Sequence, residues 1–134
     1  MLAAKFNGVL LAEDGFALEF GSTRVNVQIN EFGEDPDGNP RTIVNIWAPV
    51  ARDVSPSNEF FKWAATEAQG YRFGSTAVLE LENGRCLVVY SETLLGDFLD
   101  TEELHASVAL VALTADDLDD VVRTRFGGKR YVDA

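Results

Sequence analysis

Apolar residues in this chain alternate with the period of a strand, change to the period of a helix, return to alternation and end in a long helical pattern. Few architectures accept that order. The alternating segments meet at the turn dipeptides Asp14-Gly15 and Asp37-Gly38, and a second hairpin signal stands at Asn83-Gly84. The pattern predicts an α+β fold: an antiparallel β-meander, a helix, a β-hairpin and a long C-terminal helix. With 134 residues and 46% hydrophobic content, one core and a single domain over 1–134 are expected.

Residues 24–30 place Val25, Val27 and Ile29 on one face, and residues 16–20 form a shorter strand before them. The stretch 33–40 reads as a hairpin loop. Residues 42–50 then put Val44, Ile46, Ala48 and Val50 on one face and Ile43, Asn45 and Trp47 on the other. Ser55-Pro56 supplies an N-cap and a first-turn proline for a helix whose Phe60, Phe61, Ala64 and Ala68 share an arc, with Gly70 as its stop. Strands over 75–82 and 85–91 flank Asn83-Gly84, which suits a type I′ turn.

The last helix opens with Asp100 as N-cap and Glu103 three residues on, a capping box. Leu104, Val108, Val111, Ala115, Leu118 and Val122 form its seam, and Gly127-Gly128 ends it. Leu110 and Leu113, with Ala106 and Ala109, make the first half apolar opposite that seam. In the second half, Asp116, Asp117, Asp119 and Asp120 read as a solvated face, with Asp119 paired to Arg123.

The charge balance, 11 basic against 22 acidic residues and a net charge of −11, disfavours nucleic acid and anionic membranes as partners. The late basic residues Arg123, Arg125, Lys129 and Arg130 complement the negative end of a helix. The lone Cys86 fits a reducing compartment as a small apolar strand residue, and the start of the chain lacks a signal-peptide core. A cytoplasmic protein is expected.

Chemistry is hard to find. Glu34, Asp35 and Asp37 precede Gly38, but a calcium loop centred on that glycine would need ligands where Gly33 and Val44 stand. His105, the single histidine, reads as a residue on the polar side of a helix start, without a nucleophile motif to partner it. Gly127-Gly128-Lys129 follows a helix and so forms a cap, not a phosphate cradle. No catalytic residue, cofactor site or metal site is assigned. What remains is apolar residues on outer faces: Ile43 and Trp47 on the meander, Val78 opposite Leu79 and Leu81, and the two-sided run Cys86 to Tyr90. These read either as a contact surface or as faces covered by helices on both sides of the sheet or a strand buried on both sides.

Asp14-Gly15-Phe16-Ala17-Leu18, the 60–70 helix, Tyr71-Arg72-Phe73 before the Asn83-Gly84 hairpin, Asp100-Thr101-Glu102-Glu103-Leu104 and Ala115-Asp116-Asp117-Leu118 together resemble the YbjN-like proteins. These are described as sensory transduction regulators and share the fold of class I type III secretion chaperones. The resemblance spans about residues 9–128 and departs at the start, where 1–12 reads as a short strand instead of a helix. It implies a small acidic peptide-binding protein, a homodimer that cradles an extended partner segment. The expectation is a non-enzymatic chaperone-like or adaptor-like module whose partner or dimer surface uses Ile43, Trp47, Leu110 and Leu113. The alternative is a regulatory or ligand-sensing domain with a pocket between helix and sheet.

Overall fold

The computed structural model describes residues 9–12, 15–20, 23–70, 73–96 and 99–130. The strands are β1 (Val9–Ala12), β2 (Gly15–Phe20), β3 (Thr23–Glu34), β4 (Pro40–Val54), β5 (Ser75–Glu80), β6 (Cys86–Leu95) and β7 (Lys129–Arg130). The helices are α1 (Asn58–Ala65) and α2 (Thr101–Phe126), and a 3-10 turn (Glu67–Gln69) comes after α1. The expected α+β order is present. Asp14 of the first turn, residues 1–8 and the Tyr71-Arg72 pair lie outside the described residues.

All pairings are antiparallel, in the order β1-β2-β3-β4-β6-β5, and β7 joins β4 beyond the end of β3. β4 is the spine because 15 residues let it pair with β3, β6 and β7. Its alternation sends Val44, Ile46, Ala48 and Val50 inward, where they are buried with Val25 and Val27 of β3. α2 lies across this inner face, packing on β3, β4 and β6. Val108, Val111, Ala115, Leu118 and Val122 are buried along it, as the seam predicts. Asp100 caps the helix by accepting from the Glu103 amide at 2.7 Å, and Gly127 closes it with φ 77°.

Both described hairpins use one device. Gly38 donates to Asp35 O and Asp35 N to Asn39 O, while Gly84 donates to Leu81 O and Leu81 N to Arg85 O. Each is a three-residue loop ending in a glycine at positive φ, 83° at Gly38 and 80° at Gly84. Asn83 is not at positive φ, so the type I′ turn is replaced by a type I turn with a glycine bulge, and the Asn83 side chain instead accepts from Arg85 N at 2.9 Å. The 33–40 loop is shorter than expected because β3 runs to Glu34 through a register shift between Glu31 and Gly33. Ile29 also departs from expectation at 51% exposed, since the cover given by α2 stops short of it.

Three helix assignments need correction. Ser57, not Ser55, caps α1, accepting from Phe60 N at 3.1 Å; the Ser55 hydroxyl is taken by Arg85 at 2.9 Å. Trp63 is buried with Phe60, while Phe61 is exposed. The cause is Phe126 at the end of α2, whose ring meets Phe60 at 5.4 Å and Trp63 at 5.6 Å and draws that edge of α1 inward. His105 and Asp119 are buried, because the inner stripe includes 105, 108, 112, 115 and 119 at helical spacing. Asp119 does form the expected pair with Arg123, at 2.8 Å.

Leu118 is fully buried and Leu113, on the opposite side of α2, is 52% exposed. We expect Leu118→Ala to lower the unfolding free energy by about 2–5 kcal/mol and Leu113→Ala by less than about 0.5 kcal/mol, measured by urea titration. Equal losses would put the core on the wrong side of the helix.

Candidate functional site

The inner face is not covered evenly. α1 has only eight residues, and the 3-10 turn behind it is tied to the start of β5: Gln69 Nε2 donates to Ala64 O and Thr76 O, both at 2.9 Å, and Thr76 Oγ1 donates to Ala68 O at 2.9 Å. Those bonds close one end. Next to them α1 offers the small Ala64 and Ala65, and a groove of about 570 Å³ opens between α1 and the β5–β6 hairpin. Phe61, Ala64, Val78 and Cys86 form its apolar walls, with Glu80 and Pro56 also lining it. Phe61 therefore serves as groove wall and not as core.

Among the described residues β5 is the edge strand beside this groove. Its outward row of backbone groups is a template for another extended segment. Val78 is on the groove side, and Leu79, 52% exposed, is on the outer side opposite Leu87. The Cys86 thiol is buried at the groove floor, and desolvation with the nearby Glu80 charge pushes its pKa up, which opposes thiolate chemistry.

The outer sheet face carries the other apolar surface. Trp47 pairs in register with Asn26 and Ser91, and Ile43 with Asn30 and Leu95; between these rows Thr93 Oγ1 donates to Asn45 Oδ1 at 2.8 Å. Leu95 is 68% exposed, whereas Ile43 and Trp47 are half-buried. Alternation puts Ile43 and Trp47 on the face away from α2. Leu110 and Leu113 point away from the sheet on the far side of α2, since the buried stripe lies opposite them. The structure thus puts Ile43 and Trp47 on one face of β4 and Leu110 and Leu113 on one side of α2, but sets the two pairs on opposite sides of the molecule.

Comparison with known families supplies the context: the family described as T3SS (YopN, CesT) and YbjN peptide-binding chaperone 1, TY-Chap1, matches residues 2–134. The chain belongs to the TY-Chap1 family. The comparison with curated proteins gives no match. For a TY-Chap1 protein, whose family is one of peptide-binding chaperones, an edge strand with an apolar groove at its side is the feature to explain. Among the described residues no three His, Cys, Asp or Glu side chains gather as a metal-holding group, and no helix is long and apolar enough to cross a membrane.

The groove is only partly visible in the residue pattern. Val78 and Leu79 stand out as a two-sided strand, but that β5 is an edge depends on which strand β6 pairs with next. Glu92 gives no signal of its place at all. It faces inward beside Ile46, where burial raises its pKa from the ordinary 4.5 and a hydrogen bond with the Ser107 hydroxyl partly opposes that rise. Its Oε2 is buried without a hydrogen-bond partner.

A carboxyl whose folded pKa lies above its unfolded value holds its proton more tightly in the folded chain. Its contribution to stability is therefore lost as pH rises from the unfolded pKa through the folded one. Glu92→Gln should raise the thermal midpoint at pH 7, and the gain should shrink as pH falls through the raised folded pKa and level off below the ordinary carboxyl value of 4.5. A gain that is constant with pH in a scanning calorimetry series would contradict this.

Proposed function

We propose that this chain is a non-enzymatic chaperone or adaptor, acting as a homodimer in the cytoplasm, that holds an extended segment of another protein along β5. One observation carries the reading: a strand edge that is unpaired among the described residues runs beside an apolar groove of about 570 Å³ in a chain from a peptide-binding chaperone family. Strand addition supplies affinity through main-chain hydrogen bonds, and alternate side chains supply selectivity. On one side the segment would meet Phe61, Ala64 and Val78. On the other it would meet Leu79 and Leu87.

The second copy is assigned to the outer sheet face around Ile43, Trp47 and Leu95, which leaves the β5 edge available to the segment. Leu110 and Leu113 stay outside that interface. A net charge of −11 argues against nucleic acid and anionic membranes, and a buried, unpaired Cys86 suits a reducing compartment. No cofactor or metal enters this reading. A second reading, a ligand-sensing domain, is supported by the groove volume, which falls within the roughly 300–1,000 Å³ of small-molecule sites.

A displayed library of random peptides selected on the purified protein tests the first reading. Val78→Asp should weaken the selected peptides at least about tenfold, and Trp47→Ala should yield a monomer by light scattering that still binds them. Peptides that bind Val78→Asp unchanged would remove the groove from the account. A metabolite that raises the thermal midpoint, with no peptide selected, would favour the ligand-sensing reading.

A further inference from the structure

The chain carries 11 basic residues against 22 acidic ones, and several of the cations are neutralised locally. Arg41 meets Asp35 at 3.4 Å, Arg123 meets Asp119 at 2.8 Å and Asp120 at 3.1 Å, and Arg125 meets Glu67 at 2.6 Å. The end of β4 is different. There a recess of about 470 Å³ is lined by Asp53, Asn83, Arg85, Gly128 and Lys129. Arg52 adjoins it, 3.4 Å from the Asp53 carboxylate.

Asp53 is held ionised, because its hydrogen bond from Asn83 (3.2 Å) and the charges of Arg52 and Lys129 lower its pKa. Its backbone stands in the left-handed region at φ 56°, within the register shift between Ala51 and Val54. Arg85 is anchored through Nη1 to neutral oxygens, Ser55 Oγ at 2.9 Å and Asp53 O at 3.4 Å. The Asp53 carboxylate is thus shared by Arg52 and Lys129, while the Arg85 guanidinium meets only neutral oxygens. The positive charge here exceeds the negative, which favours an anionic group.

The recess and the groove are lined by neighbouring residues of the same hairpin. Gly84 and Cys86 line the groove while Asn83 and Arg85 line the recess, and Pro56 lines the groove while Ser55 binds Arg85. A segment paired outside β5 stands three strand spacings from β4, roughly 14 Å, and so needs about four extended residues, at roughly 3.3 Å each, to round the hairpin tip. Elsewhere an acidic partner is repelled by the net charge; here it is attracted.

We infer that the recess lined by Arg85 and Lys129, with Arg52 beside it, binds an aspartate or glutamate side chain of the partner segment, three to five residues beyond its apolar stretch. This rests on the peptide-binding reading and adds the register: main-chain pairing along β5 is indifferent to sliding, whereas one charged contact fixes position and direction. The partner is an apolar strand with an acidic flank.

The test uses the peptides selected from the display library, measured by fluorescence anisotropy. The expected result is that they carry Asp or Glu on one flank. Lys129→Gln and Arg85→Gln should each weaken binding about tenfold, with unchanged unfolding midpoints for Lys129→Gln. That loss should vanish for peptides whose flanking acid is replaced by its amide. Peptides sensitive to Val78→Asp but indifferent to both charge removals would overturn this inference alone. Loss on C-terminal amidation only would also overturn it, transferring the contact to a terminal carboxylate. Failure to select any peptide would overturn the binding reading and this inference with it.

Discussion

Everything in this molecule depends on how one long helix covers one face of a twisted sheet. At 26 residues, α2 spans about 39 Å and buries a continuous seam against β3, β4 and β6. Apolar burial of that kind supplies the main driving force for the fold. It also sets a limit, because a single helix cannot track every strand of a wide sheet. β5 lies beyond its reach and depends on α1 for cover.

α1 gives that cover incompletely. Its Phe60 and Trp63 are committed to Phe126 on α2, and its trailing 3-10 turn is bonded to Thr76. The surface it turns to the rest of β5 is Ala64, Ala65 and the edge of Phe61. The groove is thus a consequence of where the larger side chains are already engaged. A bulkier residue at position 64 or 65 would fill it and leave the edge strand without side-chain pockets. The outer sheet face has the complementary character: it is broad, carries Trp47 and exposed Leu79 and Leu95, and bears a polar band at Asn45 and Thr93.

The residue pattern discloses the parts that depend on local chemistry. Asp100 as a cap, the α2 seam, the inward row of β4 and the Asp119–Arg123 pair are all readable because each involves near neighbours or a fixed period. Ser57 displaces Ser55 as the cap of α1 because Arg85, thirty positions away, occupies the Ser55 hydroxyl. Trp63 displaces Phe61 from the core because Phe126 lies across from it. His105 is buried and Glu92 half-buried for the same kind of reason, a partner surface from a distant element. The groove belongs to this second group: its residues are in view, but the edge position of β5 is a property of strand order. Ile43, Trp47, Leu110 and Leu113 do lie outside the inner core, as the pattern implies, yet they divide between two sides of the molecule.

The central claim is that an extended partner segment pairs with β5 beside α1. Amide hydrogen exchange, measured with and without a saturating selected peptide, tests it at the residues concerned. The account predicts slowed exchange across 75–80 and in the second half of α1, with little change across 43–47. Unaltered exchange across 75–80 while the peptide is bound would contradict it.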